Sequence, residues 1–568
     1  MTWHASATGS ASAVPEARHV VLDTAFGSGA HFLAALARSG APDALHYIAL
    51  SPALPPAGPL VHELPELAEL WPVDVPGLHR IELPARRVTL DLLLGPIERC
   101  LPEIEARVHE FILPEPLAHT RALQRLAAPA ATLRCLQPDE EAQRSLRAAG
   151  FSAIDDGNEP ARGWQRFAYT SRKPQAPRAP APARRAIVIG AGVAGSAACE
   201  RLAARGWQVT LVERHAQPAQ EASGNRAGIF MPLLSKDDNI PTRLTRAAYL
   251  YAIRSWRRLG GLGPIRGEQC GVLQLARDAG HAQLQQEVVE AWRYPEQFVR
   301  WLDPDAASAM LGAATPHGAW HFPQGGWATP ASVCRAMLHA CGDKLRRVFH
   351  EEAITLLRQD GEWQALGAGG KLLAAAPTVI LANGAGATGI AQAAHLPLYA
   401  MRGQVTHLQE GGFPHLNMVV CREAYMTPPV DGIVSVGATY DKAEDRALWQ
   451  ASQDENLARA GEILGRPVGI GAPLQGRVGF RTMAPDRLPL VGALPDDRCA
   501  GRAERLRDLA RYPGLHTLLG YASRGLIWAP LAAELLACQL EDEPLPIEAT
   551  LASALDPGRF LLKQRRKL

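Results

Sequence analysis

The chain has 568 residues, too many for one ordinary hydrophobic core, so two or three domains are expected. A hydrophobic content of 47%, a charged content of 20% and a net charge of +2 are typical of a soluble globular protein. No apolar run is long enough to span a bilayer, which excludes a membrane partner, whereas the balanced charge neither demands nor excludes a nucleic-acid partner.

The N-terminus, Met1-Thr2-Trp3-His4, has no basic segment followed by an apolar core, so we expect no secretory signal and a cytoplasmic location. Nine cysteines occur without a Cys-x-x-Cys pair or metal-ligand spacing. We therefore expect free thiols in a reducing compartment and no metal site. The sequence leaves the oligomeric state open, a monomer included.

Residues 1–170 are predicted to form one α/β domain. An apolar run, His19–Leu22, enters a glycine turn, Asp23–Gly29, and after a helical run Leu45–Leu50 forms a second strand. A strand that enters a Gly-x-Gly turn resembles the start of a Rossmann-like, S-adenosylmethionine-dependent methyltransferase. In such a fold an acid after the second strand holds the ribose, but this strand ends in Ser51.

Residues 171–185 are rich in proline, alanine and arginine. Alternating prolines favour the extended polyproline II conformation, so this segment is expected to be a semi-rigid linker. Residues 186–568 then form one large α/β unit.

The second unit opens with a strand, a glycine-rich turn, a helix and a strand that ends in an acid. Gly190, Gly192 and Gly195 occupy the three glycine positions of the G-x-G-x-x-G fingerprint. They permit a tight turn, the approach of a pyrophosphate and close packing of the helix. Glu213 can accept hydrogen bonds from a ribose diol. We therefore predict a dinucleotide at the N-terminus of this helix.

Later loops extend the predicted site. Small residues in Glu221–Gly228 suit a flat cofactor or its phosphates, and a further strand enters a glycine turn at Gly384. A loop with Gly520 leads into an apolar helix, Ala529–Leu540, whose dipole can stabilise negative charge on a reduced flavin. The glycine turn at Gly384 comes long after the fingerprint turn. This spacing predicts a chain that leaves the Rossmann domain, forms an α+β substrate domain and then returns to the Rossmann domain.

Two basic segments leave alternatives open. Leu244–Leu259 is predicted to be a basic amphipathic helix, with either a solvated face, which we favour, or a surface that faces RNA. The tail, Lys563–Lys567, is either a phosphate contact or a disordered end.

From residue 186 to about 540 the sequence resembles the FAD-dependent amine oxidases of the D-amino-acid oxidase, glycine oxidase and sarcosine oxidase group. More closely, S-G-N-R at Ser223–Arg226 and P-L-L-S-K-D-D at Pro232–Asp238 resemble the oxidase half of the MnmC family of bifunctional tRNA 5-methylaminomethyl-2-thiouridine biosynthesis proteins. Arg402–Gln404 and Ser523–Leu526 agree with this resemblance. It covers nearly the whole chain, because that family also carries an N-terminal methyltransferase half.

The resemblance implies FAD as the cofactor and a modified wobble uridine of tRNA as the substrate. The family's oxidase half removes the carboxymethyl group of 5-carboxymethylaminomethyl-2-thiouridine, with glyoxylate as the expected co-product, and leaves 5-aminomethyl-2-thiouridine. The residues expected to contact FAD are Gly190, Gly192, Gly195, Glu213, Ser223, Asn225, Arg226, Gly384, Gly403, Gly520, Ser523, Gly525 and Leu526.

In the related amino-acid oxidases an arginine of a G-x-R-P stretch pairs with the substrate carboxylate, and Arg481 stands at that place. A structural salt bridge is the alternative role for Arg481. Tyr425 and Tyr440 are weaker candidates for the pocket wall. Two other functions stay open: an FAD-dependent glycine or amino-acid oxidase acting on a free small amine, and a flavin-loaded RNA-binding protein without turnover.

The methyltransferase half departs from the family pattern at three polar positions. Ser51 replaces the ribose-binding Glu, Pro96 replaces an Asp, and Leu113–Leu117 lacks the catalytic Asp. Each change removes a charged or hydrogen-bonding partner. S-adenosylmethionine is therefore implied by the family alone, and residues 1–170 are expected to be a degenerate scaffold, with tRNA docking as its remaining role.

Overall fold

A computed structural model describes residues 18–38, 44–117, 120–154, 163–171, 183–412 and 415–566. The chain divides into two compact units, one comprising Met1–Trp71 and Arg80–Ala181, the other Pro72–His79 and Pro182–Leu568. Residues 172–182 of the predicted linker, residues 171–185, lie outside the described ranges. Within those ranges, no helix has the length and apolar character needed to cross a bilayer.

An eight-stranded sheet forms the centre of the first unit. Its strands are β1 (Arg18–Asp23), β2 (Ala44–Ser51), β3 (Gly77–Leu83), β4 (Val88–Leu94), β5 (Val108–Leu113), β6 (Ala127–Leu136), β7 (Phe151–Ala153) and β8 (Trp164–Tyr169). The helices are α1 (Ala30–Arg38), α2 (Gly58–Glu63), α3 (Leu67–Leu70), α4 (Ile97–Cys100), α5 (Arg121–Leu126) and α6 (Glu140–Ala148).

The strand order in this sheet is β3-β4-β2-β1-β5-β6-β8-β7. Neighbouring strands from β4 to β6 are parallel, and β7 and β8 add antiparallel pairs. Parallel strands are buried on both faces, which is why their sequences are aliphatic runs. Val21, Leu22, Tyr47 and Leu92 accordingly have almost no exposed surface. The predicted α/β class of this unit is confirmed.

The second unit contains four sheets. Its strands are β9 (Arg185–Ile189), β10 (Gln208–Glu213), β11 (Gly228–Phe230), β12 (Gly267–Glu268), β13 (Val272–Leu275), β14 (Arg300–Leu302), β15 (Ala319–Phe322), β16 (Gly326–Ala328), β17 (Leu345–Phe349), β18 (Thr355–Gln359), β19 (Glu362–Leu366), β20 (Leu372–Ala376), β21 (Thr378–Leu381), β22 (Tyr399–Gln409), β23 (Val419–Cys421), β24 (Tyr425–Met426), β25 (Ile433–Gly437), β26 (Gln475–Met483), β27 (Leu490–Pro495) and β28 (Arg511–Leu519). Its helices are α7 (Val193–Ala204), α8 (Ile240–Arg258), α9 (Ala279–Trp292), α10 (Pro304–Leu311), α11 (Pro330–Ala340), α12 (Gln450–Leu464), α13 (Gly525–Glu541), α14 (Ala549–Leu555) and α15 (Arg559–Arg565).

Two of these sheets are large, with six and eight strands. The first has the order β17-β10-β9-β21-β28-β27 and is parallel except for β27. The second, β14-β15-β13-β23-β24-β25-β22-β26, is antiparallel except for the β13–β23 pair. The chain leaves the parallel sheet after β10 and β21 and returns to it, so the predicted Rossmann domain with an interleaved α+β domain is confirmed.

Helices α7 and α13 are buried along nearly their whole lengths. Apart from Glu534, the buried residues of α13 are apolar, as expected of a helix with little solvent face. Helix α13 begins at Gly525, four residues before the predicted start at Ala529, so the first turn of the helix includes part of the predicted loop. All nine cysteines of the chain are free thiols, as predicted.

A short segment from the first third of the sequence belongs to the second unit. Within Pro72–His79, Val73 and Val75 are buried in the main hydrophobic cluster of that unit. The backbone carbonyl of Pro76 accepts a hydrogen bond from Nε of Arg246 at 3.1 Å. The core of the second unit is therefore completed by residues encoded far upstream of its main part.

Candidate active site

The fingerprint loop joins β9 to α7. Gly190 has a φ of +102°, and a Cβ there would lie 2.8 Å from the carbonyl oxygen of Ala382, so only glycine fits. A Cβ on Gly195, in the first turn of α7, would overlap the carbonyl oxygen of Gly190. The two glycines thus allow α7 to begin directly against the ends of the parallel strands, where its N–H groups can face an anion.

Glu213 ends β10 beside this loop. Its Oε2 accepts a hydrogen bond from the Ala191 N–H at 2.7 Å, and its Oε1 accepts one from the His215 N–H at 2.9 Å. The carboxylate is buried and held in one orientation. Each oxygen keeps a further lone pair, so the geometry suits the predicted ribose contact.

A cavity of about 520 Å³ extends from the fingerprint loop, a volume in the range of small-molecule and cofactor sites. Its walls come from loops that are distant in the sequence. The predicted site residues that line it are Gly190, Gly192, Glu213, Ser223, Asn225, Gly384, Gly403, Tyr425, Arg481, Gly520, Ser523, Gly525 and Leu526.

Three predicted site residues are not among the lining residues. Gly195 lies within α7 and packs against the loop. The side chain of Arg226 is exposed. Tyr440 is 57% exposed and lies outside the cavity wall. The structure therefore places most of the predicted glycines and Arg481 around the cavity, whereas the side chains of Arg226 and Tyr440 lie outside its wall.

Two buried polar groups in the cavity wall lack partners. Among the described residues, nothing hydrogen-bonds to Oδ1 of Asn383 or to the hydroxyl of Tyr521. Since an unpartnered buried polar group is costly, such atoms indicate a ligand. With the glycine cradle and Glu213 they fit FAD. The sequence did not point to either residue. Asn383 nevertheless lies just beyond the carboxyl end of the buried strand β21, the place where open α/β sheets bind ligands.

Arg477 of β26 fixes the S-G-N-R loop over the start of α7. Its Nη1 donates to Oδ1 of Asn225 at 3.1 Å and its Nη2 to the carbonyl oxygen of Gln220 at 2.9 Å. In the same loop, Oγ of Ser223 accepts a hydrogen bond from the Val193 N–H at 3.1 Å. No local pattern marks Arg477, because its Asn225 partner is 252 residues away.

Arg481, also on β26, lines the cavity through its half-buried side chain. Its Nη1 donates to the carbonyl oxygens of Thr439 at 3.1 Å and Arg402 at 3.5 Å. A Cβ on Gly403 would overlap its guanidinium. No carboxylate of the described residues pairs with Arg481. The remaining N–H groups can therefore form the bidentate pair that a substrate carboxylate requires.

Tyr425 supplies a hydroxyl in the same wall. Burial raises the pKa of Tyr425 to about 12, while the charge of Arg481 acts in the opposite direction. Tyr425 thus stays protonated at neutral pH and can donate a hydrogen bond. Two guanidinium groups, Arg481 and more weakly Arg477, act on the Tyr425 hydroxyl, so this part of the cavity is electropositive.

In the corresponding loop of the first unit, Asp23 and Ser51 are already hydrogen-bonded within the protein. The carboxylate of Asp23 is buried and already accepts hydrogen bonds from the Tyr47 hydroxyl at 2.7 Å and the Ala25 N–H at 3.1 Å. A Cβ on Gly29 would lie 2.6 Å from Leu60, so an apolar side chain covers that glycine. Ser51 donates to the carbonyl oxygen of Ala53 at 2.6 Å and offers no carboxylate to a ribose.

Glu534, Cys538 and Glu543 place three potential metal-ligand atoms within 4.8 Å of one another. A protein cation occupies this cluster: Nη2 of Arg205 lies 2.8 Å from Glu534 Oε1 and 2.7 Å from Glu543 Oε2. The cluster is therefore an ion-pair network that joins the end of α7 to α13.

Comparison with known proteins agrees with this site. Residues 185–539 match the family model of the FAD dependent oxidoreductases, DAO. The chain is 42% identical to the tRNA 5-methylaminomethyl-2-thiouridine biosynthesis bifunctional protein MnmC of Azoarcus sp. (strain BH72), over 97% of this chain and 91% of the relative. The MnmC protein of Aromatoleum aromaticum is likewise 42% identical, over 96% and 90%.

Solved structures show the same fold. Glycine oxidase from Geobacillus kaustophilus superposes with a TM-score of 0.55 at 21% identity, covering 66% of this chain and 99% of the oxidase. Iminodiacetate oxidase from Chelativorans sp. BNC1 gives a TM-score of 0.53 at 26% identity, covering 64% and 96%. The predicted family and the predicted FAD cofactor are confirmed. The chain belongs to the MnmC family of tRNA 5-methylaminomethyl-2-thiouridine biosynthesis bifunctional proteins, and its residues 185–539 are an FAD-dependent oxidoreductase domain.

Proposed function

We propose that this chain removes the carboxymethyl group from 5-carboxymethylaminomethyl-2-thiouridine at the wobble position of tRNA and leaves 5-aminomethyl-2-thiouridine. The MnmC relative from Azoarcus sp., which is named for the biosynthesis of 5-methylaminomethyl-2-thiouridine in tRNA, matches 97% of the chain. The observation that carries the proposal is Arg481, a guanidinium with no carboxylate partner among the described residues, in the wall of a cavity that fits FAD.

The group to be removed is a secondary amine with an N–CH2–COO⁻ unit. Iminodiacetate, after which the structurally similar oxidase is named, contains the same unit. Arg481 binds the carboxylate, and the carbonyl oxygens of Thr439 and Arg402 hold the plane of its guanidinium. Fixing the carboxylate also fixes the adjacent CH2, whose C–H bond must break.

FAD, when bound, supplies the oxidant that accepts a hydride from this CH2. Arg481 and Arg477 disfavour a protonated substrate nitrogen and thereby favour the neutral amine, whose lone pair assists the loss of hydride. Loss of the hydride turns the N–C single bond into the C=N double bond of an iminium ion. Water then adds to its carbon, a proton is released, and the C–N bond breaks to give the primary amine and glyoxylate. Tyr425 keeps its proton throughout and donates a hydrogen bond to the substrate.

The proposal does not extend to methyl transfer. Leu60 covers Gly29, and Ser51 stands where an acid would hold the ribose of S-adenosylmethionine. The product is therefore expected to leave this protein as a primary amine.

Anaerobic flavin reduction tests the proposal. Purified protein with FAD is mixed with tRNA that carries the carboxymethylaminomethyl group, and we expect loss of the flavin colour together with conversion of that nucleoside to its aminomethyl form. Arg481→Ala should lose this reaction, and Arg481→Lys should keep the charge but not the bidentate geometry. Reduction by glycine but not by the tRNA would indicate an oxidase of free amines. Binding of tRNA without reduction by either compound would indicate an RNA-binding protein without turnover.

A further inference from the structure

Two tyrosines with large exposed side chains lie beside the active-site strands. Tyr399 is 42% exposed and Tyr440 is 57% exposed. Neither ring belongs to the cavity wall. A half-exposed aromatic ring offers an apolar face on which a flat partner can stack.

The orientation of Tyr440 follows from a bulge beside β22. Val405 pairs with Gly437, whereas Arg402 bridges Asp441, so residues 402–405 oppose the longer stretch 437–441. An extra residue of this kind interrupts the alternation of side chains and redirects one of them. The Tyr440 ring accordingly points out of the wall. The guanidinium carbon of Arg481 lies 4.2 Å from its centroid, and more than half of the side chain remains exposed.

Tyr399 is placed by regular strand alternation. Met401 pairs with Arg481, and Tyr399, two residues earlier in β22, therefore projects from the same face of the sheet as Arg481. Tyr399 thus projects from the face of the sheet that carries Arg481, and the Tyr440 ring contacts the Arg481 guanidinium.

We propose that Tyr399 and Tyr440 form a stacking platform for the unpaired RNA bases that flank the modified uridine. This inference rests on the proposed function, since it takes the substrate to be an RNA loop. A nucleotide that enters the cavity must leave the base stack, which uncovers the faces of its neighbours. Aromatic side chains receive such faces in single-stranded RNA. Lys442 is exposed, has no ion pair among the described residues, and is suited to a nearby phosphate.

The test uses the full-length FAD-loaded protein and an unmodified anticodon stem-loop RNA with 2-aminopurine next to the wobble position. We expect wild-type protein to quench the 2-aminopurine fluorescence. Tyr440→Ala and Tyr399→Ala should each raise the Kd about tenfold and reduce the quenching, whereas the Phe variants should retain both properties. Leu284→Ala, which removes a side chain that is also 42% exposed, should bind like wild type.

Wild-type affinity and quenching in both Ala variants would overturn the platform. Equal losses in the Phe and Ala variants would also overturn it, because stacking does not need the hydroxyl. FAD content and melting temperature report whether each variant is folded. Failure of the proposed function gives a different pattern, in which the stem-loop binds and quenches normally but modified tRNA does not reduce the flavin.

Discussion

The guanidinium of Arg481 occupies the space that a side chain on Gly403 would fill. The two residues lie on the paired strands β26 and β22, two positions apart in register, since Gly403 pairs with Gly479. This close approach lets Arg481 donate to the carbonyl oxygens of Arg402 and Thr439. The missing Cβ of Gly403 is therefore a condition for the position of the cation.

Replacing Gly403 with Ala should displace Arg481 and mimic its loss. A charge-assisted hydrogen bond contributes about 1.5 to 3 kcal/mol, so we expect the KM for modified tRNA to rise at least about tenfold. Gly263→Ala, at an exposed turn where a Cβ meets no atom within 4 Å, is a control for a glycine change away from the site. Steady-state kinetics and FAD content measure the effect. An unchanged KM in Gly403→Ala would contradict the placement of Arg481 as the carboxylate anchor.

Glu221 gives the FAD cavity a pH-dependent contribution to stability. Its carboxylate accepts hydrogen bonds from His215 at 2.8 Å, Arg446 at 2.9 Å and Arg214 at 2.5 Å. Burial raises the pKa of Glu221, but these donors outweigh burial and bring it to about 2, against an ordinary value of 4.5. Because the folded pKa is the lower one, the stabilisation is complete above pH 4.5 and is lost as the pH falls towards 2.

Glu221→Gln should therefore lower the temperature of flavin release by an amount that is largest above pH 4.5 and shrinks on acidification. Glu444→Gln is the matched control, because Glu444 lines the same cavity but has no ion pair among the described residues. Thermal release of flavin fluorescence at a series of pH values measures both variants. A flavin-release temperature of Glu221→Gln equal to or above that of wild type at pH values above 4.5 would contradict a stabilising carboxylate.

The first unit should neither bind S-adenosylmethionine nor transfer its methyl group. Its buried Asp23 is already bonded to Tyr47 and the loop backbone, and Leu60 lies against Gly29. Calorimetric titration of the full chain should give no binding heat. Nucleosides from tRNA treated with the protein and S-adenosylmethionine should contain the aminomethyl form without its methylated derivative. Saturable binding of S-adenosylmethionine by the wild-type chain would contradict this prediction. Binding by Leu60→Ala alone would show that the Leu60 side chain is what blocks the loop at Gly29.

The local parts of the site were predictable from the sequence. Gly190, Gly195 and Glu213 lie within one strand-turn-helix-strand unit, and short-range geometry dictates their residue types. Arg481 was found only through resemblance, because its partners Arg402 and Thr439 come from segments 79 and 42 residues away. Asn383 and Tyr521 were missed, since an unpartnered buried atom can be recognised only when the cavity around it is known.

The charge pattern of the sequence was also misleading, because the ion-pair partners of a helix are known only from the folded structure. The basic helix predicted at Leu244–Leu259 was expected to have a solvated face, yet Arg246 is buried and pairs with Asp238 at 2.5 Å. Arg243 and Arg258 of the same helix pair with Glu548 at 3.4 Å and Glu200 at 3.3 Å. A helical pattern shows which cations share a face, but it does not show which acids neutralise them, and two of these acids, Glu200 and Glu548, come from distant segments.

A substitution in Pro72–His79 should change the stability of the second unit, although the residues on both sides of this segment belong to the first unit. Val75 is 1% exposed and belongs to the hydrophobic cluster that contains Trp256 and Ile547. Val75→Ala removes buried methyl groups and leaves a cavity, so we expect a loss of about 1 to 2 kcal/mol and a lower temperature of flavin release. Val61→Ala, in the half-buried face of α2, should leave flavin release unchanged. Equal flavin-release temperatures for wild type and Val75→Ala would show that this upstream segment does not support the FAD-binding core.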